Sequence, residues 1–120
     1  MVYLYIFIGG GLGSLARYII TKISSELILT DFPLGTYLSN ILACLLLAIL
    51  IVGISARHPQ YAWVQPLLII GFCGGFSTFS TFSNETFNLL DNGYTLLAIT
   101  NILISVFVGI ALIFFIRSRV

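Results

Sequence analysis

Charge is what this sequence has least of: Lys and Arg number five, Asp and Glu four, together 8% of 120 residues. So few ionised groups cannot solvate the surface of a soluble domain, where about a quarter of residues are charged. The scarcity is patterned. Residues 1–16, 32–56, 58–84 and 92–116 contain no Asp, Glu, Lys or Arg. Roughly 20 apolar residues in a helix cross a bilayer core, so the three longer stretches each suffice, and the first does once Arg17 lies near its end. Alternating segments of about ten residues, which would mark a membrane β-barrel, are missing. No basic stretch precedes the first apolar run, and that run continues too far for a cleavable signal peptide. A net charge of +1 excludes a nucleic-acid partner and a polybasic lipid patch. No nucleophile–base pair or metal-ligand cluster suggests an enzyme. Cys44 and Cys73 both fall in apolar stretches, where small packing residues are expected rather than a disulfide or metal site.

What remains is apolar: 59% of residues are hydrophobic and mean hydropathy is +1.12. The expected fold is an all-α integral membrane protein in the lipid bilayer, one domain with spans at about 2–22, 34–55, 62–90 and 95–116. Loop 23–33 ends at Pro33, suited to the first turn of the next helix. Arg57, His58 and Pro59 form the next turn; His58 reads as a solvated side chain, and Tyr61 and Trp63 suit the headgroup level. Four spans put Arg57, Arg117 and Arg119 on one side and Lys22, with or without Arg17, on the other. That is a weak positive-inside bias, compatible with insertion both ways round. Four short helices enclose little, so an ion path calls for an oligomer, and balanced loop charges favour an antiparallel pair.

The third span is the unusual one: Gly71-Phe-Cys-Gly-Gly-Phe-Ser-Thr-Phe-Ser-Thr-Phe-Ser-Asn-Glu85. Its glycines allow two readings. They permit close helix packing, or they interrupt the helix near the bilayer midplane between Gly71 and Ser77, freeing carbonyls for a cation. Beyond them, Phe76, Phe79 and Phe82 recur at steps of three, and Ser77, Thr81 and Glu85 at steps of four. Hydroxyls in a span can back-bond to their own helix. Ser77, Thr78, Ser80, Thr81 and Ser83 in one stretch fit a pore wall better. Hydroxyl donors and electropositive phenyl edges suit a small hydrated anion held weakly. Asn40 in the second span is either an interhelical hydrogen-bond residue or a donor to a passing anion. Arg17 either snorkels, sets a positive potential at an anion vestibule, or bonds carbonyls of a neighbour. Asn101, alone in the last span, is a further vestibule or structural candidate.

Three runs of residues, Gly9 to Tyr18, Pro33 to Asn40 and Gly71 to Glu85, closely resemble the CrcB/Fluc family of fluoride channels, in the same order and over essentially the whole chain. The resemblance implies a dual-topology antiparallel dimer in a bacterial cytoplasmic membrane, either of identical copies or of paired homologous subunits. It implies two fluoride pores, each passing fluoride out of the cell, and a central structural sodium ion. Phe79 and Phe82 would meet fluoride with their ring edges, Asn40 would donate in the pore, Ser80 and Thr81 would belong to a polar track, and Glu85 would lie near one pore end. Main-chain carbonyls of Gly74 and Ser77 would hold sodium. Departures occur at Ala43 and Ala48, where glycine is frequent, and at Asn101, where some members carry a pore-lining tyrosine.

Two other functions compete. A small dual-topology cation or drug–proton antiporter shares the length and helix count, but needs an intramembrane carboxylate; only Glu85, at the end of the third span, is near. A non-transporting accessory subunit leaves the hydroxyl and phenylalanine strip unexplained.

Overall fold

The computed structural model describes residues 1–55 and 59–119. Arg57 and His58 of the expected polar turn lie outside them. Among the described residues, four helical crossings are long and apolar enough to span a membrane: Val2–Leu27, Leu34–Ile54, Gln65–Asp91 and Thr95–Ser118. No strand occurs among the described residues.

Helix α1 (Val2–Leu27) runs five residues past the expected end at Lys22. Nothing between Lys22 and Leu27 breaks a helix, and Ser25 Oγ donates to Lys22 O at 2.8 Å. Extended Ile28 (φ −127°, ψ 111°) ends α1, its N–H on Ser24 O. The loop therefore spans only residues 28–33. Helix α2 (Leu34–Leu50) continues into a wider π-type turn, Ile51–Ser55. A short 3-10 turn, Pro59–Tyr61, precedes the third crossing. Here α3 comprises residues 65–76, π-helical over Gln65–Cys73 and α-helical over Gly74–Phe76, and α4 is Phe79–Asp91. Helix α5 (Thr95–Ser118) follows a tight turn in which Gly93 has φ +85°. Tyr94 N donates to Leu89 O and Gly93 N to Leu90 O, a Schellman closure that needs the left-handed glycine.

Helix α1 packs mainly on α3, and α2 on α5. Many buried positions are small, among them Ser39, Ala43, Ala48 and Ala98 beside glycines, while Leu50, Val64 and Cys73 form one apolar cluster. Cys44 and Cys73 are free thiols, Cys73 buried and Cys44 half-buried. Large side chains such as Phe7, Leu96, Phe107 and Phe114 face outward, which suits lipid rather than water.

The glycine run behaves differently from the expectation of an interruption over Gly71 to Ser77. Residues 71–76 stay helical, and Gly71 and Gly75 let α3 lie directly against α1. A Cβ at Gly75 would strike the Gly10 carbonyl and approach Gly10 Cα to 3.1 Å. Backbone cannot step aside as a side chain can. Gly75→Ala should thus destabilise the fold by about 1–3 kcal/mol through forced separation of the helices, read as a lower melting temperature in detergent. Gly11→Ala, with nothing within 4 Å of its Cβ, should leave stability unchanged or slightly raised.

Candidate functional site

The third crossing is broken at Ser77 and Thr78, both extended (ψ 154° and 118°). Thr78 is the midpoint of the Gln65–Asp91 crossing. Unpaired backbone at that depth is expensive, so something must satisfy it. The Asn40 side chain does so. Its Oδ1 accepts from Thr78 N at 2.7 Å and its Nδ2 donates to Thr78 O at 3.2 Å, pairing both backbone groups of one residue. Ser77 is tied back to α3, its N and Oγ both donating to Cys73 O. Thr78 caps α4: its Oγ1 accepts from Thr81 N at 3.3 Å and donates to Thr81 Oγ1 at 3.1 Å. Asn40 thus serves as an interhelical bond, while its second amide proton is left for another acceptor.

These side-chain contacts leave two carbonyls without their regular helical donors. Gly74 O would accept from Thr78 N, which goes to Asn40. Ser77 O would accept from Thr81 N, which goes to Thr78 Oγ1. Gly75 O instead accepts from Arg17 Nε at 3.1 Å. Of the three readings open for Arg17, carbonyl bonding is the one seen, and it sets a cation at the negative end of α3. Conversely, α4 begins at the break, turning its positive end and first free N–H groups toward the same region.

An open cleft of about 260 Å³ lies beside the break. Asn40 and Cys44 of α2, the 77–79 segment with Phe82, and Ser105 and Val106 of α5 line it. The Phe79 and Phe82 rings stand 6.0 Å apart at 39°. Phe79 is 80% exposed, so its ring has almost no cover within this chain. Ser80 and Thr81 gather around the Thr78 hydroxyl rather than on the cleft wall, with Ser80 Oγ 3.5 Å from Thr78 Oγ1. Back-bonding accounts for Ser77 and Thr86 in this crossing, but not for Thr78.

Glu85 lies apart from the cleft. Its Oε1 accepts from Thr36 Oγ1 at 2.9 Å, while Oε2 is buried without a partner. It borders two cavities of about 310 and 130 Å³ beneath loop 28–33. Asn101 is fully buried, bonded to Thr86 and Ser105. Thr36, Thr86 and Ser105 were not singled out as partners by sequence. An intramembrane amide or acid needing a partner is the signal that could have pointed to them.

A family model described as CrcB-like protein, Camphor Resistance (CrcB), matches residues 4–116. The chain belongs to the CrcB family. Its relatives in that family include proteins named Fluoride-specific ion channel FluC. The one from Pyrococcus abyssi is 47% identical over 118 residues, 97% of this chain and 94% of the relative. That from Flavobacterium psychrophilum is 40% identical over 106 residues, 88% and 86% of the two chains. The Solibacter usitatus protein is 34% identical over 115 residues, 96% and 94%. With four crossings and such relatives, this CrcB member is a multi-pass membrane protein.

Proposed function

We propose that this chain is a fluoride channel subunit that lets cytoplasmic fluoride leave the cell passively, lowering its toxicity, from a bacterial cytoplasmic membrane. The observation that carries the reading is the clamped break: Asn40 holds Thr78 at the midpoint of the crossing, and the positive end of α4 and the Phe79–Phe82 pair share one cleft. Free N–H groups, an unused amide proton and ring edges are donors and partial positive charges, which a small anion prefers. Relatives named for fluoride select the ion.

The working form is an antiparallel dimer, homomeric or paired with a homologous subunit, with two pores. The 80% exposure of Phe79 supports a second subunit that completes the cleft. The released carbonyls of Gly74 and Ser77 fit a structural sodium ion, since hard cations take oxygen ligands and both oxygens lie outside the helical ladder. When bound, sodium would supply fixed positive charge and cross-link the two breaks.

Proton-coupled antiport is less well supported. Glu85 already accepts from Thr36 and sits near loop 28–33, away from the midpoint. Reconstituted vesicles holding only this chain should therefore release fluoride without an imposed proton gradient. Release that needs such a gradient would replace the channel reading with the antiporter.

A further inference from the structure

Asn101 of α5 is 1% exposed, and its amide joins two hydroxyls of known direction. Thr86 Oγ1 donates its single proton to Phe82 O at 2.7 Å. Toward Asn101 it can therefore only accept, which it does from Nδ2 at 3.0 Å. With the amide nitrogen fixed on Thr86, the amide oxygen faces Ser105 and accepts from its Oγ at 3.2 Å. A serine has one proton. At rest, then, Ser105 points that proton at Asn101 and turns only lone pairs toward the cleft it lines with Phe82 and Asn40.

Lone pairs repel an anion. We propose that Asn101 is a positioning residue for anion binding: it holds the Ser105 proton in reserve, and an anion in the cleft must take that proton from a neutral amide oxygen. A neutral acceptor yields to an ion, because hydrogen bonds to charged groups are about twice as strong. The amide thus weakens binding by the worth of one ordinary hydrogen bond, which helps a permeating ion leave. The relay runs through residues of this chain on α4 and α5 only, and it rests on the anion-channel reading above.

The test is the dependence of initial fluoride efflux on internal fluoride concentration in proteoliposomes. Asn101→Leu has similar volume and no acceptor, so Ser105 is free to donate. The half-saturating concentration should fall roughly fivefold, the net worth of one hydrogen bond. Asn101→Asp offers a charged acceptor that holds the proton harder, and the value should rise by about as much. Thr86→Val, nearly isosteric, releases the amide to turn and should act like Asn101→Leu; it decides the matter if the Asn101 variants do not assemble. The Asn101→Leu and Thr86→Val shifts should vanish in a Ser105→Ala background, whereas the charge added by Asn101→Asp repels the anion there as well. Shifts in one common direction, or Asn101→Leu and Thr86→Val shifts that persist without the Ser105 hydroxyl, assign Asn101 to packing alone and overturn the proposal. Wild-type vesicles that pass no fluoride would instead overturn the reading of this chain as a channel sufficient by itself, on which the proposal rests.

Discussion

Asn40→Leu is expected to cut fluoride efflux by about tenfold or more and to lower the melting temperature in detergent together. The reason is local. Thr78 N–H sits at the midpoint of the third crossing and has its pairing from the Asn40 amide at 2.7 Å, while Thr78 C=O, which as N-cap carbonyl starts the ladder of α4, takes a second bond from the same amide at 3.2 Å. Leucine fills similar space but leaves the N–H unpaired, at about 1–3 kcal/mol, and removes the tether on the carbonyl. The segment would recover that energy by moving, and Phe79 begins one residue later. The ring pair, the cap on Thr81 and the released Gly74 and Ser77 carbonyls all depend on the same two residues. Conduction and stability should therefore fail as a unit. Stability lost with efflux intact would contradict the clamp as the organiser of the path.

Phe79→Ile and Phe82→Ile should each reduce efflux roughly tenfold, because an aliphatic group offers no electropositive edge to an anion. The rings are 6.0 Å apart and both line the cleft, yet neither is a large part of the buried core. Melting temperature should accordingly change little. Phe7→Ile supplies the control: Phe7 is 79% exposed on α1, away from the cleft, and its replacement should leave efflux unchanged. Equal losses at all three positions would make the effect one of general hydrophobicity and not of ring chemistry.

The four crossings were legible because charge-free runs of sufficient length have few other uses. Their ends were less so. The end of α1 moved from Lys22 to Leu27, since the polar residues Ser24, Ser25 and Glu26 read as loop but are compatible with a helix emerging from the membrane. The break was expected over Gly71 to Ser77 and lies at the far edge of that range, at Ser77 and Thr78. Glycine both loosens a helix and lets two helices touch, and composition cannot say which use prevails. Gly75 is helical and lies against Gly10, and the break falls at Ser77 and Thr78, where a cross-helix amide pairs the backbone. Asn40 itself stood out as a polar residue in an apolar span. Its two-pronged bond to Thr78 did not, because that depends on α2 and the break lying side by side. For Asn101 the sequence offered vestibule or structure; burial against Thr86 and Ser105 gave it a place in the interior.

The central claim is that this chain conducts fluoride and discriminates against other halides. Fluoride and chloride efflux should be compared in vesicles containing only this protein, under the same electrical driving force. Fast fluoride release with chloride retained is the predicted result. Chloride leaving as readily as fluoride, or neither ion leaving above empty vesicles, would contradict it.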